Sequence, residues 1–217
     1  MRNNIFDQEM RGIHRDSITM CNLAAEALQD AMDAVRRRDF TMVDRVLELD
    51  KRIRNMRMAI NERVMRMIAT QHPVALDLRR LFYLIHTGDE MERIGFNAAR
   101  AAKTMLRSEQ GSVMLMEELY NMSERVCTMF EMTLTGSLGE NPDSVRAAIV
   151  MDDEVDVMHE QIYRECVARK PSNDDADVLA AISIARYIEH AGDHIVNWGR
   201  WWLYFCVKQE DDASVIV

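Results

Sequence analysis

Four acidic residues interrupt long apolar stripes, and they are the residues of this sequence with the clearest chemical potential. They are Asp50, Glu92, Asp152 and Glu189, and each lies in a stripe of apolar residues and glycines at spacings of three and four residues. That spacing places them on the packed face of a helix. A carboxylate in an apolar seam costs several kcal/mol unless it is paired, ligated or protonated. We therefore take these positions as site candidates.

Each acid of the second half is followed by another acid four residues later. Asp156 follows Asp152, and Asp193 follows Glu189. Like charges at this spacing repel one another on a helix. Oxygen-only ligands favour a hard multivalent cation, whereas the alternative is an acidic face covered by solvent. The sequence therefore predicts metal ligands at Asp152, Asp156, Glu189 and Asp193, with Asp50 and Glu92 as secondary candidates.

The first half departs from this pattern. Arg54 lies four residues after Asp50, and Phe96 lies four residues after Glu92, so both second acids are missing. A guanidinium group is a good partner for a carboxylate in a crowded site. We expect Arg54 to pair with Asp50 or Glu92, and Phe96 to fill the remaining volume and exclude water. The two halves would then differ, with an arginine pair in one and metal in the other.

Helix-breaking residues divide the chain into six predicted helices. Pro73 is a stop signal, and a possible helix N-cap follows Arg38. The third helix runs to about Arg107, and a single fifth helix spans the apolar stripe from Val145 to Cys166. The remaining breaks fall in segments rich in Gly, Ser, Asn or Pro, namely 108–112, 136–142 and 170–173.

Long helices joined by short turns form antiparallel bundles. The acidic positions recur in the two halves at similar separations, which indicates an internal repeat. The predicted fold is all-α, with two tandem pseudo-symmetric three-helix bundles of up-down antiparallel helices. The predicted units are 1–108 for the first bundle, 109–208 for the second, and 209–217 for a mobile tail.

Composition excludes several classes of protein. The chain has 217 residues with only 8 Gly and 3 Pro, too few for the turns of a many-stranded sheet. A net charge of −9 disfavours nucleic-acid binding, which needs a basic face. No uncharged stretch approaches the roughly 18 residues of a membrane span, and the N-terminus lacks the apolar core of a signal peptide. We expect a cytoplasmic protein without membrane insertion.

Catalytic motifs are absent from the sequence. It contains no phosphate-binding glycine loop, no dinucleotide fingerprint and no nucleophile elbow, so we expect no enzyme. One alternative is a di-metal carboxylate bundle that acts as an oxidoreductase or stores metal. No histidine has a glutamate three residues before it, which counts against that alternative. The other alternative is a helical adaptor without metal.

Four segments in order along the chain resemble the motifs of the PhoU family of bacterial phosphate-uptake regulators. Residues 71–79 (QHPVALDLR) are similar to that family's QPVAxDLR turn, and residues 92–95 (ERIG) are similar to its ERIGD signature. Residues 188–194 (IEHAGDH), with Asn197, resemble the second copy of that signature. Residues 152–156 (DDEVD) resemble the family's DxxVD helix.

This resemblance implies a function that the residue pattern alone does not give. It implies a negative regulator of phosphate uptake and phosphate-starvation signalling, acting as a cytosolic adaptor. The implied partners are the phosphate ABC transporter, a membrane sensor histidine kinase and a second copy of the chain, a homodimer. It also implies a divalent or trivalent metal ion, whether iron, zinc, magnesium or manganese, at the acidic motifs.

Overall fold

The computed structural model describes residues 4–105, 115–168 and 175–207, and these ranges contain helices but no strand. The helices are α1 (Asn4–Arg37), α2 (Phe40–Gln71), α3 (Ala75–Met105), α4 (Met116–Leu138), α5 (Pro142–Val150), α6 (Asp152–Ala168) and α7 (Asp175–Cys206). The all-α prediction is confirmed. None of the helices within these ranges is long and apolar enough to cross a bilayer.

The first half consists of α1, α2 and α3, which pack against one another. The break predicted after Arg38 is confirmed, because Asp39 caps α2 by accepting a hydrogen bond from the Thr41 N–H (2.9 Å). The stop signal at Pro73 is confirmed as well. His72 ends α2 in the left-handed region (φ 46°), and α3 begins two residues after the proline.

The second half consists of α4, α5, α6 and α7. Asn141 caps α5 by accepting hydrogen bonds from the N–H groups of Asp143 (3.2 Å) and Ser144 (3.3 Å). Helix α5 folds back closely on α4 at Gly136, where a Cβ atom would lie 2.9 Å from Cγ2 of Val145. Only glycine fits this approach without displacing α5.

The predicted single fifth helix is wrong in one respect, because it is interrupted at Met151. The Met151 N–H donates to the carbonyls of Ala147 and Ile149, and its own carbonyl accepts from the Glu154 N–H. Three acids, Asp152 among them, occupy the first turn of α6, where the positive end of the helix dipole favours negative charge. The interruption therefore places Asp152 at a helix N-terminus, which the apolar spacing did not indicate.

One apolar core runs through both halves, because α3 packs along the length of α7. Trp198 on α7 is buried against Phe130 on α4, with ring centroids 5.4 Å apart. Its Nε1–H donates to the Tyr83 hydroxyl on α3 (3.0 Å). Burial raises the pKa of Tyr83 well above its usual range, so the hydroxyl stays protonated.

Several boundary predictions lie outside the described residues. They concern the linker at 108–112, the boundary between 108 and 109, the break at 170–173 and the tail at 209–217. The division into units therefore stays a prediction.

Candidate functional site

The four acids of the second half lie on α6 and α7, which pack side by side. Asp152 begins α6, and Asp156 lies one turn further along it. Glu189 and Asp193 lie one turn apart in the middle of α7. The side chain of Glu189 is 20% exposed and Asp152 is half-buried, whereas Asp156 and Asp193 are exposed. The cluster thus has two sheltered carboxylates and two that face solvent.

Gly192 allows α6 and α7 to meet at this cluster. A Cβ atom at Gly192 would lie 3.0 Å from Oδ1 of Asp152. Gly192 stands between Glu189 and Asp193 in the sequence, so the Asp152 carboxylate rests on the backbone of α7 near both acids. Any larger residue would push Asp152 away from this position.

The four carboxylates of the cluster interact electrostatically, and this interaction shifts the pKa values of the two sheltered ones. Burial is the largest effect and, with the charges of Asp156, Asp193 and Glu189, it raises the pKa of Asp152 to about 6. Burial and Asp193 also raise the pKa of Glu189, although His190 and His159 oppose the shift. Among the described residues, no arginine or lysine forms an ion pair with these four carboxylates, and the ion-pair partner of Glu189 is His190.

The carboxylates do not form a closed cage. Within the described ranges, no three His, Cys, Asp or Glu side chains converge as a ready-made metal-binding group. The four side chains nevertheless fit a hard cation, because they offer only carboxylate oxygens as ligands. Two of the four carboxylates, Asp156 and Asp193, lie on the solvent side. The close approach of Gly192 to Asp152, here called the cradle at Gly192, holds one of the two sheltered carboxylates in place.

In the first half, Asp50 contacts a glycine of the neighbouring helix, as Asp152 does in the second half. Asp50 is 6% exposed and lies beside Gly95, where a Cβ atom would be 3.9 Å from its Oδ1. Its Oδ2 pairs with Arg54 at 3.0 Å, as expected from the sequence. Burial raises the pKa of Asp50 despite the opposing charges of Arg54 and Lys103, while Oδ1 has no hydrogen-bond partner among the described residues.

Glu92 pairs with a different arginine from the one the sequence suggested. Arg57 Nε lies 2.6 Å from Glu92 Oε2, and Arg57 Nη1 donates to Asp89 Oδ1 at 3.2 Å. The Nε contact has the distance of an ion pair without a well-aligned hydrogen bond. Sequence reasoning missed Arg57, although it follows Asp50 by seven residues and therefore shares its helix face.

The expectation for Phe96 is wrong. Its side chain is 47% exposed and does not fill the site, and the Arg100 guanidinium lies 5.4 Å from its ring centroid. The reason is its helix position, because Phe96 follows Gly95, whose face of α3 meets α2. In the first half, Asp50 and Glu92 are therefore paired with Arg54 and Arg57, and no apolar side chain of Phe96 covers them.

A third group of polar residues joins the two halves. Glu90 on α3 is bonded through Oε2 to Nδ1 of His194 (2.8 Å), and it accepts a hydrogen bond from Trp201 Nε1 at 3.4 Å. His86 stacks on Trp201 with centroids 4.1 Å apart. No local spacing could reveal these contacts, because α3 and α7 are far apart in sequence.

Comparison with known proteins agrees with this architecture. A family model described as the PhoU domain matches residues 18–105 and 119–202. Among curated proteins, the chain is 30% identical to the phosphate-specific transport system accessory protein PhoU of Escherichia coli, over 97% of this chain and 88% of that protein. It is 26% identical to the PhoU homolog of Clostridium acetobutylicum, over 99% and 100% of the respective chains.

Solved structures show the same fold. The crystal structure of PhoU from Pseudomonas aeruginosa superposes with a TM-score of 0.88 at 24% identity, over 92% of this chain and 98% of that one. The phosphate transport system regulatory protein PhoU from Streptococcus pneumoniae gives a TM-score of 0.86 at 20% identity, over 95% and 99%. With the family model matching most of the sequence, the chain belongs to the PhoU family.

Proposed function

We propose that this protein is a non-enzymatic regulator that restrains phosphate uptake and phosphate-starvation signalling. The observation that carries the proposal is membership of the PhoU family along nearly the whole chain. The relatives from E. coli and C. acetobutylicum are named as accessory proteins of the phosphate-specific transport system, or as homologs of one.

The finer parts of the proposal concern place and partners. The protein would work in the cytoplasm as a homodimer, contacting the phosphate ABC transporter and a membrane sensor histidine kinase. The support for these partners is the motif resemblance of residues 71–79, 92–95, 152–156 and 188–194.

We propose in addition that Asp152, Asp156, Glu189 and Asp193 hold a divalent or trivalent cation. The support is the uncompensated charge of the cluster, its oxygen-only donors and the cradle at Gly192. A bound cation would offset the mutual repulsion of the carboxylates and tie α6 to α7. Because Arg54 and Arg57 already occupy the carboxylates of the first half, we propose no metal at Asp50 and Glu92.

Metal titration tests the site. Mn²⁺ binding to the chelator-treated protein is measured by calorimetry for the wild type and for the double variant Asp156→Ala plus Asp193→Ala. The matched control is Glu160→Ala plus Glu165→Ala, which removes two exposed acids of α6. Binding should be lost only in the first variant. Equal binding by all three proteins would reject the assignment.

Phosphate uptake tests the cellular role. A strain lacking the gene should take up labelled phosphate faster than the parent in phosphate-rich medium. Complementation with the wild-type gene should return the uptake rate to that of the parent. Complementation with the Asp156→Ala plus Asp193→Ala variant then separates the two proposals. Unchanged uptake in the deletion strain would remove the regulatory role, whatever the result of the metal titration.

A further inference from the structure

A groove runs between α1 and α4, at the second seam that joins the two halves. It encloses about 350 Å³, close to the lower end of ligand cavities (about 300–1,000 Å³). Leu28 and Phe130 form its buried floor. The groove is lined by Ala25, Leu28 and Gln29 of α1 and by Glu124, Cys127, Thr128, Phe130, Glu131 and Leu134 of α4.

The α4 side of the groove is a regular stripe. Glu124, Cys127, Thr128 and Glu131 lie at positions i, i+3, i+4 and i+7, which share one face of a helix. Both glutamates and Thr128 are exposed, while Cys127 is half-buried. An acid thus stands at each end of the stripe, with Cys127 and Thr128 between the two acids. The two acids are about 10 Å apart along the helix axis.

The carboxylates of this stripe are available to a partner. Glu124 accepts a hydrogen bond from the Tyr120 hydroxyl, and neither glutamate forms an ion pair with another described residue. Burial, reinforced by the charge of Glu124, raises the pKa of Cys127 to about 12. The thiol therefore stays neutral and serves as a weakly polar part of the groove wall.

We propose that this groove binds a basic amphipathic helix from a partner protein. Lysine or arginine at positions i and i+7 of that helix would meet Glu124 and Glu131. Apolar side chains at i+3 and i+4 would enter the groove beside Cys127 and above Phe130. Helices recognise apolar grooves through this spacing of anchors, and opposite charges at the rim fix their register. The proposal is independent of the metal site and of the phosphate role.

A designed peptide tests the groove directly. The probe is a fluorescein-labelled, alanine-based helix of about two heptads, with Arg at i and i+7 and Leu at i+3 and i+4. Its binding is followed by fluorescence anisotropy with the wild-type chain, with Thr128→Arg and with Thr70→Arg. Thr70 on α2 is a matched control, because both threonines are exposed and donate to the carbonyl four residues before them, and no residue of α2 lines the groove.

The expected result is saturable binding that weakens as salt rises. Thr128→Arg should raise the Kd at least about tenfold, since it places a cation in the groove, whereas Thr70→Arg should change it less than about twofold. Thermal melts of both variants check that they remain folded. The proposal is overturned if the wild type does not bind the probe, if both variants lose binding equally, or if a peptide with Glu in place of Arg binds as well. Saturable binding of spermine without binding of the peptide would also overturn it, in favour of a small organic cation.

Discussion

Replacing Asp152 by asparagine should stabilise the metal-free protein at neutral pH. Burial of the Asp152 carboxylate at the start of α6, together with the charges of Asp156, Asp193 and Glu189, raises its pKa to about 6. Asparagine keeps the shape of the side chain and removes its charge. The substitution therefore relieves the repulsion from Asp156, Asp193 and Glu189 and removes the cost of sheltering a charged carboxylate from water.

The pKa of Asp152 sets the size and the sign of the effect. A rise from 3.8 to about 6 corresponds to a ceiling of about 3 kcal/mol, because each pKa unit is worth about 1.4 kcal/mol. Asp152 is only half-buried, so screening by water reduces the expected effect to about 1 kcal/mol. A raised pKa means that folding favours the protonated form. The contribution of Asp152 protonation to the free energy of unfolding is complete at pH values below the pKa of Asp152 in the unfolded chain. It is lost as the pH rises through about 6.

Urea unfolding of chelator-treated protein at several pH values measures this effect. Asp152→Asn should exceed the wild type by about 1 kcal/mol at pH 7.5, and the gap should close as the pH falls towards 4. The exposed Asp44 on α2 provides the control, since Asp44→Asn should leave the stability within about 0.5 kcal/mol. A gap that does not vary with pH, or a less stable Asp152→Asn protein at pH 7.5, would refute the reasoning.

Three further substitutions test other parts of the structure. Arg57→Met should lower the free energy of unfolding by about 1–2 kcal/mol in urea titrations, because it leaves two partly buried acids without their arginine partner. Arg66→Met breaks an exposed pair and should lower the free energy of unfolding by under about 0.5 kcal/mol. Equal losses in the two variants would contradict this reasoning. Gly192→Ala should weaken Mn²⁺ binding about tenfold in calorimetry, since its Cβ would lie 3.0 Å from Oδ1 of Asp152; unchanged affinity would contradict the cradle. Asn141→Ala should cost about 1 kcal/mol through loss of the α5 cap, measured by urea unfolding, whereas Asn141→Asp should retain it.

The helices were predictable because their ends carry local signals. Asp39 and Asn141 are capping residues, and Pro73 cannot continue a helix, so three of the breaks follow from residue chemistry alone. The break at Met151 has no such signal, because the apolar spacing continues across it. What distinguishes it is the run of acids that follows, which suits a helix N-terminus.

The candidate site was predictable in its positions but not in all of its contacts. Spacing placed Asp50 and Asp152 on packed faces, and both lie against a glycine of the neighbouring helix. Spacing did not distinguish which side of α3 faces α2, so Phe96 was assigned to the interior although it is exposed. The contact between Glu90 and His194 joins helices that are distant in sequence, and such contacts depend on how the halves pack together.

The two halves handle the same problem of buried charge by different physical means, and this difference has a consequence for their stability. In the first half, Arg54 and Arg57 belong to the chain, so Asp50 and Glu92 each have an arginine partner whenever the protein is folded. In the second half, compensation would have to come from solution, and it would therefore vary with the concentration of the cation. Because α7 also packs along α3, any change in the stability of α7 reaches the seam between the halves. A cation bound at α6 and α7 would thus make the stability of the second half depend on the cation concentration. The ion pairs of the first half would not depend on it.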